Sequence, residues 1–368
     1  MHSREAFRKS IIGAVTATGL IAVSLSNALA ADFSPALKQL IAAASKEGKL
    51  SLSYGTSTFG GAKGAKEIQK KLNKMFGTNI KIRYTPGKAM ARIANQLMTE
   101  FKAKQPAFTD VFVGAATQQA PLVKHNMLLA VDWKSYLPNR IPAIAVEKGG
   151  MALRVGTGMS GVTYNSDLAP YKPTKLTDFL DPRWKGKIAS TPYAASFDSI
   201  SSNDMWGPEK TISFVEKLSG NIAGLMRCGE MERIASGEYI ALVMDCTGQS
   251  ALVWKAKGAP IDQMVPLDAA QARYYYVSVP KNSVNPAAAK LFNVFMQTAV
   301  GQKIIWNRWK IDLHHYPESE MAKQMNALKA KGVSPREVTI SWWMSHPEIT
   351  KAKRKIVKIL RTKKKKKK

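Results

Sequence analysis

The chain has 368 residues, 45% of them hydrophobic, two cysteines and a formal charge of +29. The hydrophobic share is ordinary for folded domains and excludes a disordered or collagenous chain, and the length exceeds the roughly 250–300 residues at which one core stops growing, so two lobes are expected. Residues 351–368 hold twelve of the positive charges and the first thirty carry a net +2, leaving +15 on residues 31–350, a balance that suits anionic surroundings or an anionic ligand.

The first thirty residues read as an export signal. Arg4, Arg8 and Lys9 form a positive start, Ile11 to Leu25 an apolar run, and Ala28-Leu29-Ala30 a small-x-small cleavage site, so a periplasmic mature chain beginning at Ala31 is expected. Gly13, Thr16, Thr18 and Gly19 interrupt the run, which is short for a membrane span. Next, Ser34 is placed to cap a helix over Ala36–Ala44, with Pro35 in its first turn. Lys49–Tyr54 reads as a strand and Ala62–Phe76 as a helix. Between them, Gly55–Gly61 sets glycines and hydroxyls before a helix N-terminus, where free N–H groups and the helix dipole favour an anion. Ser57 and Thr58 are the candidates here, and the spacing matches neither a P-loop nor a dinucleotide fingerprint.

Asn79–Tyr84 is the next strand, Met90–Lys104 an amphipathic helix, and Asp110–Gly114 a short buried strand ending in small residues that include Thr117. Met151–Val155 and Met159–Tyr164 read as strands flanking Gly156-Thr157-Gly158, the expected first crossing between lobes, with Ser160 just beyond. The organisation expected is lobe 1 over 31–157, lobe 2 over 158–265, a return to lobe 1 with the hinge over 266–315, C-terminal helices over 316–350, and a disordered basic tail over 351–368.

After a short helix, Leu176–Leu180, comes the stretch around which the chain is organised, Asp181–Ser196. Asp181-Pro182 marks a turn, Trp184 anchors it, Gly186 bends it, and Ile188-Ala189 enters a sheet. The strand opens onto Ser190–Ser196, whose small side chains leave backbone donors and hydroxyls accessible at a strand's carboxyl end, the place where open α/β sheets take ligands. This loop, with Ser196, is expected to face Gly55–Gly61 across a cleft. A helix over Pro208–Ser219 follows. Cys228 and Cys246 flank a helix-turn-strand unit that can return on itself, so a disulfide is expected in an oxidising compartment, two unpaired thiols being the alternative.

Tyr239–Asp245 is a strand ending at Cys246-Thr247-Gly248, which adds Thr247, and a helix follows over Ala251–Lys257. Ile261–Val265 and Leu267–Val279 are strands, the second bringing Arg273 and three tyrosines. Alternation sends Tyr274 and Tyr276 to one face and Tyr275 to the other. Packing is their default fate, with Arg273 and Tyr274 retained as ligand candidates. Asn285-Pro286 opens a helix over Ala287–Ala299.

Several of these segments together carry a resemblance. Asp181-Pro182-Arg183-Trp184-Lys185-Gly186-Lys187-Ile188, Gly237-Glu238-Tyr239, Lys257-Gly258-Ala259-Pro260, Asn285-Pro286-Ala287-Ala288-Ala289-Lys290-Leu291-Phe292 and Gly301-Gln302 stand in the order seen in bacterial periplasmic solute-binding proteins of the ferric-binding type. From about Lys49 to Ile305 the chain resembles the extracellular solute-binding component of an ABC importer. The resemblance implies an α/β, type II periplasmic-binding fold, two lobes joined by crossing strands around an interlobe ligand, with a membrane permease as partner. It also implies adjacent tyrosines after the Gly-Glu strand in ferric binders, where this chain has Cys246-Thr247-Gly248, so iron loses its expected ligands and is the alternative. Ser57, Thr58, Thr117, Ser160, Ser196, Thr247, Arg273 and Tyr274 suit a small organic anion instead, held by a monomer with no cofactor.

An enzyme is the rival from another class, but no G-x-S-x-G elbow, H-E-x-x-H or paired carboxylates support catalytic residues. His314-His315 attract attention as metal ligands, yet sequence neighbours point differently and no spaced carboxylate or cysteine completes a set, so no metal is expected. The lysine run lacks interleaved aromatics and the chain is exported, which argues against nucleic acid. Trp342-Trp343 and Met344 read as packing residues.

Overall fold

The computed structural model describes residues 33–87 and 89–365, so the export signal and its cleavage site lie outside the described residues, as do the last three lysines. Ser34 accepts from the Leu37 N–H at 3.1 Å and starts α1 (Pro35–Glu47). The chain then alternates through β1 (Lys49–Tyr54), α2 (Gly61–Phe76), β2 (Lys81–Pro86), α3 (Met90–Lys102), β3 (Phe112–Ala115), α4 (Ala116–Lys124) and the short α5 (Trp133–Tyr136). Asp110 fastens this lobe. Its Oδ2 accepts from the Ser51 N–H of β1, and its Oδ1 from the backbone of Val284 and Asn285 in the returning chain.

β4 (Val146–Glu147) and β5 (Ala152–Ser160) lead to the second lobe, built from β6 (Val162–Asn165), β7 (Ile188–Ser190), α6 (Phe197–Ile200), α7 (Pro208–Leu218), β8 (Ile222–Leu225), α8 (Glu232–Ala235), β9 (Ala241–Val243), α9 (Gln249–Lys255) and β10 (Ile261–Met264). Its sheet has the order β10-β6-β9-β7-β8, with β7 parallel to both neighbours. β11 (Gln271–Ser278) returns to the first lobe, followed by α10 (Pro286–Gln297), α11 (Ala299–Trp309), α12 (Glu320–Lys329), β12 (Arg336–Val338), α13 (Ile340–Ser345) and α14 (Glu348–Lys365). Two separate large cores follow from this arrangement, one around Phe112, Leu153 and Phe292, the other around Phe179, Trp184 and Val243. Such a mixed helix/sheet molecule with two lobes is the type II periplasmic-binding fold.

The turn at Asp181–Gly186 behaves as its residues demand. Asp181 Oδ1 accepts from the Arg183 N–H at 2.8 Å, Gly186 takes a φ of 73°, and Trp184 is fully buried against Phe179 and Tyr171. Its indole N–H donates to the Tyr171 hydroxyl.

β5 runs unbroken through Gly156 and Gly158 as a strand of the hinge sheet, and the chain leaves that sheet at Gly161, where a Cβ would meet the Met264 carbonyl at 2.0 Å. Two expectations change. Residues 316–350 are not all helical, since β12 pairs parallel with β11 at the edge of the hinge sheet. Residues 351–365 of the basic tail are not disordered: α14 reaches Lys365, and Ile349, Ala352, Ile356 and Leu360 are buried along one face. Their spacing of three and four residues makes a helical stripe, and the helix packs on α6 and α7 of the second lobe.

Candidate functional site

The lobe-2 strand ends meet the hinge strands β5 and β11, and four of the eight expected site residues, Ser160, Ser196, Thr247 and Arg273, gather there. Ser160 and Ser196 are fully buried; Ser160 Oγ donates to the Cys246 carbonyl at 2.8 Å and Ser196 Oγ to the Asp245 carbonyl at 2.9 Å. Ser196 holds a φ of 62°, a left-handed conformation unusual for a residue with a Cβ. Thr247 Oγ1 lies 3.3 Å from the Tyr275 hydroxyl. Close approach here requires Gly158, since a Cβ would meet Thr247 Cβ at 2.4 Å.

Arg273 reaches across from β11. Its Nη1 donates to Ser196 Oγ at 3.1 Å and to Asp198 Oδ1 at 3.3 Å, while Lys353 of α14 grips the other Asp198 oxygen at 2.8 Å. Burial alone would raise the Asp198 pKa, but Lys353 and Arg273 hold it below the ordinary carboxylate range. Two cations share one carboxylate, so Arg273, Lys353 and Asp198 together carry a net +1 beside Ser196, with the half-buried Lys353 at its edge and the Asp245 carboxyl in the neighbouring loop.

Asp245 anchors the neighbouring loop. It accepts from Thr163 Oγ1 at 2.7 Å and from the Gly161 and Gly248 N–H groups at 3.1 Å. Burial outweighs these bonds and pushes its pKa up to about 6. Cys246 beside it is joined to Cys228 in a disulfide, which removes any reactive thiol. The Tyr193 hydroxyl accepts from the Cys228 N–H at 3.1 Å and sits 3.3 Å from Cys228 Sγ.

The other candidates lie elsewhere. Ser57 is exposed, Thr117 half-buried and Thr58 buried; among the described residues no hydrogen bond joins them to the Ser196 group. The Gly55–Gly61 loop connects to the second lobe through rings instead: Phe59 packs edge-on against Trp309 at 5.0 Å, Trp309 against Tyr275 at 4.5 Å, and Tyr275 meets Thr247. Tyr274 is not at this contact. Strand parity turns it to the opposite face, under the Arg154 guanidinium at 4.3 Å and against His314 and His315. Tyr275 is the tyrosine that faces the second lobe, and it and Gln249 are the residues the sequence reading passed over. Burial raises the Tyr275 pKa, partly offset by bonds to Thr247 and Gln249, and the Gln249 carbonyl oxygen is buried without a partner among the described residues.

The dismissal of His314-His315 also changes. Both rings turn the same way, 4.0 Å apart, and Glu337 of β12 supplies the carboxylate that sequence order hides. A separate cavity of about 370 Å³ lies between β10 and α12, lined by Met159, Leu252, Met264 and Leu328, and contains none of the expected site residues.

Comparison with known proteins now decides the family: the profile for bacterial extracellular solute-binding proteins matches residues 67–314. The chain belongs to that family. A solved substrate-binding protein of an ABC transporter from Agrobacterium tumefaciens is similar at a TM-score of 0.68 and 16% identity, over 85% of this chain and 94% of that one. Iron-bound HitA from Pseudomonas aeruginosa is similar at 0.63 and 18%, over 84% and 99%. The fructose-6-phosphate-bound periplasmic protein AfuA from Actinobacillus pleuropneumoniae is similar at 0.58 and 20%, over 73% and 85%. The match to a curated uncharacterized protein of Haemophilus influenzae is 25% identical over 143 residues, 37% of this chain, and spans 40% of that protein's length. At these identities the solved structures show the fold that the chain shares with them.

Proposed function

We propose that the mature chain, released into the periplasm by cleavage after Ala30, captures a small hydroxylated organic anion between its lobes and delivers it to a membrane permease. It acts as a monomer and performs no chemistry on the solute. The observation that carries the anionic reading is the net +1 of Arg273, Lys353 and Asp198 at the interlobe contact. Ser196 and Arg273 then bind the charged group, because charge-assisted bonds are the strong ones. Thr247, Tyr275 and Ser160 line the approach, and the open Gln249 carbonyl takes a solute hydroxyl, since a buried acceptor without a donor costs about 1–3 kcal/mol. Ser57, Thr58 and Thr117 belong to the facing lobe and contact the solute only on closure, which the solute favours by its greater affinity for the closed form.

The ferric alternative finds little support in the same residues. Cys246 is disulfide-bonded and Thr247 bonds to Tyr275, so the positions that carry tyrosines in ferric binders hold no phenolate. Calorimetry of the mature protein with sugar phosphates and hydroxycarboxylates tests the proposal. Arg273→Met leaves Asp198 paired with Lys353 and should weaken anion binding by about tenfold to a hundredfold, the size of a lost charged hydrogen bond. Unchanged affinity in that variant would overturn the assignment.

A further inference from the structure

His314 and His315 play no part in the solute reading, yet their placement is specific. With Glu337 they offer three ligand atoms that all lie within 4.8 Å of one another. The histidines come from the segment between α11 and α12, the glutamate from β12, and all three sit on the face of the hinge sheet opposite the Tyr275 contact.

Each member has an atom to give. His314 Nδ1 lies 3.0 Å from Thr157 Oγ1 on β5; with Nδ1–H donating there, Nε2 carries the free lone pair. Such an outer bond is how ligating histidines are commonly oriented. Both ring nitrogens of His315 are shielded from solvent and have no hydrogen-bond partner among the described residues. Glu337 uses Oε2 to accept from Arg154 Nη1 at 3.2 Å, and its carboxylate also interacts with the Tyr274 hydroxyl.

Arg154 is answered by Glu147 at 2.9 Å and by Glu337 at 3.2 Å, so that group carries a net −1, with Lys329 a further cation near the histidines. Two imidazoles and one carboxylate suit borderline transition dications rather than magnesium or calcium, which take oxygen.

We propose that His314, His315 and Glu337 form a binding site for a divalent transition metal of the zinc class at the hinge sheet, separate from the solute contact. Tetrahedral metal–ligand bonds of about 2.1 Å set the donors about 3.4 Å apart, so side-chain rotation has to draw together atoms that now stand within 4.8 Å of one another. A fourth position stays open for water. The ion ties the His314 segment, already bonded to β5 through Thr157, to β12, and so braces the strands on which the lobes turn.

The test is titration of chelator-treated mature protein with Zn²⁺ by calorimetry and with Co²⁺ by visible absorption. The expected result is one ion per chain, a dissociation constant of about 10 μM or tighter, and Co²⁺ bands of nitrogen ligation. His315→Ala and Glu337→Gln should each weaken binding by at least about tenfold, whereas His346→Ala, at a histidine paired with Asp204 and outside the cluster, should not. Circular dichroism of the metal-free variants checks folding; should one misfold, the Co²⁺ spectrum of the unaltered protein still decides. No binding at 100 μM metal, or equal affinity in folded His315→Ala, overturns the proposal.

Discussion

Replacing Asp198 with Asn removes the carboxylate that joins Arg273 to Lys353 while keeping the side chain's shape. Asn retains an oxygen for the Ser199 N–H, held at 2.9 Å, but turns an amide toward the Lys353 ammonium. The Arg273 and Asp198 side chains are 11% and 3% exposed, so their pairing is barely screened; Lys353, at 37%, contributes less. Breaking a buried pair from one side costs about 3–5 kcal/mol, or a fall in Tm of roughly 6–10 °C at about 2 °C per kcal/mol for a large chain. Because the folded Asp198 pKa lies below its unfolded value, its contribution is complete above about pH 4 and fades only as pH falls through the folded value. Scanning calorimetry of both proteins should therefore show a constant gap from pH 5 to 8 that narrows in stronger acid. A variant within 1 °C of the unaltered protein at pH 7, or a gap that widens in acid, would refute this reasoning.

Other consequences follow from the same contacts. Asp245→Asn can keep both backbone bonds and donate to Thr163, while removing a carboxyl whose folded pKa of about 6 exceeds its unfolded value. A raised acid pKa gives stability that is present below the unfolded pKa and lost by about pH 6, so the variant's Tm relative to the unaltered protein should rise between pH 4 and 6, as read by thermal melts across that range. Ile356→Ala opens a hole under α14 and should cost about 2–5 kcal/mol in denaturant titration; a negligible cost would mean the helix is not docked. Reduction, or Cys228→Ser with Cys246→Ser, should cost about 3 kcal/mol in the chain-entropy description of a short loop and loosen Tyr193, which melts with and without reductant will read.

The strands were legible because each is a short apolar run bounded by turn residues, and β1 needed nothing more than Lys49–Tyr54. The strand-end loops were legible as a group for the same reason, through small hydroxylated residues such as Ser190–Ser196. What sequence hid was orientation. Arg273 and Tyr275 share a face and Tyr274 does not, a matter of parity that the alternation predicts but that cannot say which face meets the second lobe. At Gly156 and Gly158 the sequence hid a second demand, close packing against Ile311 and Thr247. Lysine density masked the Ile349, Ala352, Ile356 and Leu360 stripe, so charge was read where periodicity should have been. Glu337 lies 22 residues beyond His315 in a three-residue strand too short to recognise, and only the pairing of β12 with β11 brings it to the histidines.

The most direct test of the solute reading is a thermal-shift screen of the mature protein against sugar phosphates, hydroxycarboxylates, ferric citrate, spermidine and neutral sugars, with Arg273→Met beside it. The account predicts that one organic anion raises Tm through binding to the folded state, and that the rise largely disappears in the variant. A rise with ferric ion, spermidine or a neutral sugar alone, or one equally large in Arg273→Met, would contradict it.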